Sequence, residues 1–238
     1  MPFLARVRER HRQAEIMDQP GLDEGRHVQA LRGLERINFW SRSAALVWGP
    51  LADLARDEGG RPLRVLDLAT GAGDVPIPLW HRARRRGLPL QVEGCDVSPA
   101  AVAHAAARAE QARADVRFFV WDALHGPLPS GYDVLVSSLF LHHLSDEQAV
   151  DLLRRAAEAA GRLVLINDLV RSPAGWLLAY LGTRLLSWSD VVHTDGLRSV
   201  EAAFTPDEAR SLAERAGLTG ARVRACWPCR FLLTWRRA

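Results

Sequence analysis

Three aspartates frame the chemistry open to this sequence. Asp67, Asp96 and Asp122 stand at or just past the ends of the apolar runs Leu63–Leu68, Leu90–Cys95 and Val116–Trp121. A carboxylate in such a place can accept hydrogen bonds from both hydroxyls of a ribose, as expected for Asp96, and Asp122 could meet an adenine amino group. Beyond Asp67 the chain reads Leu68-Ala69-Thr70-Gly71-Ala72-Gly73-Asp74. Small residues there let a ligand approach backbone that larger side chains would shield. The helix expected to follow offers free N–H groups to a carboxylate or phosphate. A plain tight turn would use the same residues, but three acids on successive strand ends are harder to explain as turn formers. Cys226-Trp227-Pro228-Cys229 has C-x-x-C spacing. It falls between two strand candidates joined by a proline turn, not at a helix start, so a redox dithiol is not expected. No further ligands are evident near it, and no metal site is predicted.

These groups need a scaffold. From residue 61 onward, short apolar runs alternate with helical patterns near 75–86, 99–113, 146–160 and 172–188, which predicts a mostly parallel sheet covered on both faces. Further runs lie at Tyr132–Leu139 and Leu163–Asn167. Thr205 and Pro206 mark the start of a helix near 206–216, and 219–226 and 230–236 read as an antiparallel hairpin. Residues 3–17 and 24–57 are predicted helices, the second with Val28, Leu31, Leu34 and Ile37 on one stripe. Residues 1–60 are therefore expected to form a helical lid on one α/β domain over 61–238, with a helical insert near 172–204. The 238 residues suit one domain, and 48% hydrophobic with 25% charged is an ordinary globular balance. Every basic residue is Arg, so Schiff-base, pyridoxal and P-loop lysines are excluded. The net charge is only +3 and is spread along the chain. Three cysteines and no secretory h-region suggest a reduced, cytoplasmic protein. Arg and Glu interrupt every apolar run, so stable membrane insertion is not expected.

Residues 61–170 resemble a class I S-adenosylmethionine-dependent methyltransferase. Val65-Leu-Asp67-Leu-Ala-Thr-Gly71-Ala-Gly73-Asp74 matches the family's first motif, and Glu93-Gly-Cys-Asp96-Val97-Ser-Pro its ribose-binding strand end. Phe119-Val-Trp-Asp122-Ala123 matches the adenine site, and Tyr132-Asp-Val-Leu-Val-Ser137-Ser138-Leu-Phe-Leu-His142-His143-Leu the fourth strand. The first motif is similar to that of quinone C-methyltransferases. Ala69 stands where the family has its first glycine, which calls for a negative φ there. The resemblance implies a Rossmann-like sheet of seven strands in the order 3-2-1-4-5-7-6, the last antiparallel. It implies S-adenosylmethionine as cofactor, with Gly71 and Gly73 at the methionine part, Asp96 and Val97 at the ribose, and Asp122 and Ala123 at the adenine. Asp67 and Ala69 belong to the same site, and Ser138 would approach the sulfonium.

The acceptor is read less directly. The Asn/Asp-Pro-Pro-Tyr element of nucleic-acid amino methyltransferases is replaced by Ser137-Ser138-Leu-Phe, so nucleic acid is disfavoured. Trp40, Phe140, Trp176, Tyr180 and Arg171 are candidate walls of a dry acceptor pocket, although the stretch Trp176–Trp188 is apolar on nearly every face and reads mainly as core. The segment Val191–Val200 resembles a bacterial group associated with polyketide and phenolic-lipid pathways, which suggests a small phenolic or hydroxyquinone acceptor. A phenol must lose its proton, so His143, His193 and His142 are the candidate bases, with Asp168 and Arg171 behind them. C-methylation of an aromatic or quinone ring is the alternative. A nicotinamide oxidoreductase is disfavoured, because Pro76 stands where G-x-G-x-x-G needs its last glycine, and a cofactor-binding protein without catalysis stays open. A monomer or homodimer is expected.

Overall fold

The computed structural model describes residues 6–17, 23, 25, 29–30, 33 and 43–237. The predicted stripe Val28, Leu31, Leu34 and Ile37, and the candidate Trp40, lie outside these residues.

Seven strands form one sheet in the order β3-β2-β1-β4-β5-β7-β6. They are β1 (Leu63–Leu68), β2 (Leu90–Asp96), β3 (Val116–Val120), β4 (Tyr132–Ser138), β5 (Ala160–Leu169), β6 (Arg222–Cys226) and β7 (Arg230–Arg236). The first five are parallel to one another. Strand β7 runs antiparallel to both β5 and β6. The sheet order matches the expected one, and its reversal between β1 and β4 opens the crevice where such sheets bind ligands.

Alternation along the strands divides the core. Val65, Val134, Val136 and Leu165 meet α1 (Ser43–Asp57) and α2 (Pro76–Arg86) on one face. Leu66, Leu135, Val164 and Ile166 meet α4 (Asp146–Ala159) and α7 (Pro206–Arg215) on the other. Between them in sequence lie α3 (Pro99–Gln111), α5 (Pro173–Leu186) and α6 (Asp190–Ala202). Ser145 with Gln148, and Thr205 with Glu208, form capping boxes that set where α4 and α7 begin.

Two departures from the sequence reading bear on the site. Residues 7–17, expected to be helical, form no helix. Their polar groups bind other elements instead. Arg10 donates to the carbonyls of His142, Leu144 and Ala202, and the N–H groups of Ile16 and Met17 donate to the Asp195 carboxylate at 2.8 and 3.0 Å. The segment is thus a strap tied across α6 and the turn after β4. Helix α5, expected to be mainly core, buries only Gly175 and Thr183. It packs on α6 through small residues: a Cβ on Gly196 would lie 2.6 Å from Thr183 Cγ2. Its large residues Leu177, Leu181 and Leu185 are left exposed.

Candidate active site

A cavity of about 840 Å³ lies at the carboxyl edge of the sheet, with α5, α6 and the strap over it. One end is built by the turns after β1, β2 and β3. Ala69, Gly71, Asp96, Val97, Asp122 and Ala123 line it. Asp96 accepts the Gly71 N–H at 2.9 Å and the Ser98 N–H at 3.0 Å, so its carboxylate both shapes the first turn and borders the cavity. Asp122 accepts from Leu124 N–H and meets His125 Nδ1, each at 2.8 Å. The bond to His125, chiefly, holds its carboxyl below the usual range. Gly71 and Gly73 have φ of 53° and 77°, which explains glycine at both. Ala69 departs from expectation: its φ is 52°, not negative. The turn imposes on alanine a backbone that usually selects glycine. Leu139 and Cys229, which also line the cavity, have positive φ as well. Such strain gathers at functional sites because the surrounding fold can enforce it.

Three of the cofactor-site residues expected from the sequence do not line the cavity. Asp67 is fully buried and accepts the Thr70 hydroxyl at 2.7 Å; burial pushes its pKa up to about 7. Gly73 packs against Phe118 and Ile77. The Ser138 hydroxyl accepts a hydrogen bond from Asn167 at 2.7 Å, and the next residue, Leu139, reaches the cavity instead.

The other end of the cavity is mostly aliphatic, with Leu178, Leu186 and Val192 from α5 and α6 and Phe140 beside them. The remaining expected wall residues are engaged elsewhere. Trp176 stacks on Tyr180 at 5.6 Å and donates its indole N–H to Glu201. Arg171 is buried, paired with Glu208, and donates to the Ala203 carbonyl at 2.7 Å. His193 does not line the cavity either, because its Nε2 meets the Ser187 carbonyl at 2.9 Å.

His142 and His143 do line the cavity, on the short 3-10 turn after β4. His142 Nδ1 lies 2.6 Å from Asp168 Oδ1, and its backbone N–H donates to Oδ2 at 3.1 Å. Burial lowers the His142 pKa, but the Asp168 carboxylate outweighs it and leaves it above the ordinary value. Burial and the neighbouring His142 hold His143 at about 4, so it is neutral at pH 7. Sequence reasoning missed Glu15, whose segment it took for a helix, and Arg230, a buried guanidinium in the cavity wall. The Asp168–His142 pairing joins the ends of adjacent strands, which only the sheet order could reveal.

Residues 65–161 match the family of methyltransferase domains. A demethylmenaquinone methyltransferase of Thermus thermophilus is 37% identical over 130 residues, 53% of this chain and 56% of that protein. The chain spans about half the length of the curated relatives it matches. Among solved structures, magnesium protoporphyrin IX methyltransferase from Synechocystis PCC 6803 superposes with a TM-score of 0.56 at 16% identity, covering 93% of this chain and 91% of that one. An O-methyltransferase of neocarzinostatin biosynthesis, solved with S-adenosylmethionine and 2-hydroxy-5-methyl naphthoic acid, gives a TM-score of 0.53 at 24% identity, covering 73% of this chain and 49% of that one.

Proposed function

We propose that this chain, which matches the methyltransferase-domain family over residues 65–161, moves a methyl group from S-adenosylmethionine to the hydroxyl of a small, hydrophobic aromatic acceptor. The observation that carries this reading is the cavity with two unlike ends. The Ala69, Gly71, Asp96 and Asp122 end offers carboxylates and bare backbone suited to a nucleoside and an amino acid. The aliphatic end under α5 and α6 suits a ring system, with few polar groups to satisfy. The relatives agree with an aromatic acceptor, since one acts on demethylmenaquinone and another was solved with a hydroxynaphthoic acid.

The reaction is an in-line displacement. The acceptor oxygen bonds to the methyl carbon, the S–C bond breaks, and its electron pair returns to sulfur as S-adenosylhomocysteine leaves. Holding donor and acceptor in line can supply roughly 7–11 kcal/mol in the best cases. The acceptor must also lose its proton, and a phenol has a pKa near ~10. His142, backed by Asp168, and His143 border the cavity in which that proton is lost. Ring methylation of a quinone is the competing reading, favoured by the demethylmenaquinone relative.

Thermal shift tests the cofactor. S-adenosylhomocysteine at ~100 times its Kd should stabilise the protein by ~2.7 kcal/mol and raise Tm by roughly 5–10 °C, whereas NAD should leave it unmoved. An NAD shift without the other would overturn the reading. Mass spectrometry and NMR of the product from a hydroxynaphthoate and a quinone then separate O- from C-methylation.

A further inference from the structure

Glu15 brings a third donor to the two imidazoles. Its Oε1 stands 3.9 Å from His142 Nε2 and 4.0 Å from His143 Nε2. One ligand atom from each of the three residues falls within 4.8 Å of the others. We propose that Glu15, His142 and His143 bind one divalent transition-metal ion at the acceptor end of the cavity, where it activates the acceptor hydroxyl; the activating role rests on the methyl-transfer reading, the site itself does not.

The donor set is the first argument. Two imidazoles and one carboxylate suit zinc, cobalt, iron or manganese, and leave positions open for water or substrate. Magnesium and calcium prefer oxygen donors alone.

The groups behind the donors are the second argument. Asp168 holds His142 Nδ1 at 2.6 Å. That contact places the ring's proton on Nδ1 and turns the Nε2 lone pair toward Glu15 and His143. A carboxylate behind a metal-ligating histidine is the usual way such a ring is fixed. The Ser199 hydroxyl donates to Glu15 Oε1 and orients that carboxylate in turn. The strap is tied down on both sides of Glu15, by Arg10 to Leu144 and by the Ile16 N–H to Asp195, so the donor is held in place.

Geometry and access are the third. Bonds of ~2.0–2.1 Å at tetrahedral angles put ligand atoms ~3.3 Å apart. The observed 3.9 and 4.0 Å need contractions of ~0.6 and ~0.7 Å, and the pair of imidazoles, within 4.8 Å of each other, at most ~1.5 Å, within reach of side-chain rotations of Glu15 and His143. The three residues also line a second cavity of about 350 Å³, bordered by strap residues 12–15 and by Arg198 and Ala202 of α6, which leaves room for an ion beside the donors. Arg12 and Arg198 line it as well, but donate to the carbonyls of His143 and Ala14.

With the ion in place, the acceptor hydroxyl takes an open position and releases its proton to water. The bound oxygen then attacks the methyl carbon as described above. A metal ion lowers the pKa of a bound O–H by several units, so the oxygen would be ionised near neutral pH.

The test uses the full chain, stripped with chelator and then titrated with Co²⁺ and Zn²⁺. Expected are one saturable Co²⁺ equivalent with a visible d–d spectrum, its displacement by Zn²⁺ and indifference to Mg²⁺. Glu15→Gln and His143→Ala should each weaken binding at least tenfold, and Asp168→Asn by ~10–100-fold. Glu15 and His143 are only partly buried, so their variants test the site even where Asp168→Asn fails to fold. No saturable binding, or binding unchanged in both of those variants, overturns the site. Turnover of the stripped enzyme at pH 7 should rise at least tenfold on adding Zn²⁺; equal turnover without it overturns the role. S-adenosylhomocysteine affinity, measured on the same stripped protein, reports on the methyl-transfer reading separately.

Discussion

Asp67 is a carboxyl kept far from water, and its cost depends on pH. One of its oxygens accepts the Thr70 hydroxyl and the other has no hydrogen-bond partner among the described residues. Its folded pKa is about 7, against an ordinary 3.8. Between those values the folded chain keeps a proton that the unfolded chain releases, so this group's contribution to stability falls as pH rises through that window. Asp67→Asn should remove that fall. Urea unfolding at pH 4.5 and 7.5 checks it: the variant gains on the wild type at the higher pH, and a constant difference refutes the assignment. Ala69→Gly relieves a φ of 52° and should raise Tm by about 2 °C without weakening S-adenosylhomocysteine binding, as read by calorimetry. Asp96→Ala should weaken that binding at least tenfold and leave the fold intact, because β2 is held by pairing on both sides. His143→Ala should lower kcat by ~10²–10⁴, with partial recovery at high pH where a phenol ionises unaided.

The strap is the element on which the acceptor end depends. Residues 6–17 form no strand or extended helix of their own, and Asp195 anchors two of their N–H groups from α6. Asp195→Ala should free the segment and leave the sheet untouched. Turnover should fall at least tenfold as Glu15 leaves the cavity wall, while cofactor affinity stays near normal, since the turns after β1 to β3 make no use of the strap. Limited proteolysis supplies the check: faster cleavage at Arg8 or Arg12 with intact turnover would separate the strap from catalysis.

Stability should be graded across the molecule. Strands β1, β4 and β5 contain residues with no measurable exposure, such as Val65, Val134 and Val164. Helix α5 buries two residues and rests on α6 through a glycine. Hydrogen exchange should therefore be slowest in β1, β4 and β5 and fastest, among the helices from α1 to α7, in α5. Added S-adenosylhomocysteine should protect the turns at 69–73 and 96–98. That gradient suits a cavity whose floor must be rigid and whose cover must admit a ring.

The alternation of strands and helices, the antiparallel hairpin of β6 and β7 and the turn with Gly71 and Gly73 were legible in the sequence, because apolar runs and turn chemistry are local; the strand order followed only from the resemblance to class I methyltransferases. The shared edge that carries Asp96 and Asp122 was legible too, since parallel strands put every carboxyl end on one side; Val97 and Ala123 followed from the resemblance, and the structure places all four along one cavity. The acceptor end was not legible in the same way. Trp176, Tyr180, Arg171 and His193 have suitable side chains, but their directions follow from which helix packs on which, and Gly196 of α6 is what lets Thr183 of α5 approach closely. Glu15 meets His142 and His143 only because the strap forgoes a helix to bind Asp195 and the carbonyls after β4. Contacts between segments so distant in the chain leave no periodic trace, and only the tertiary structure decides them.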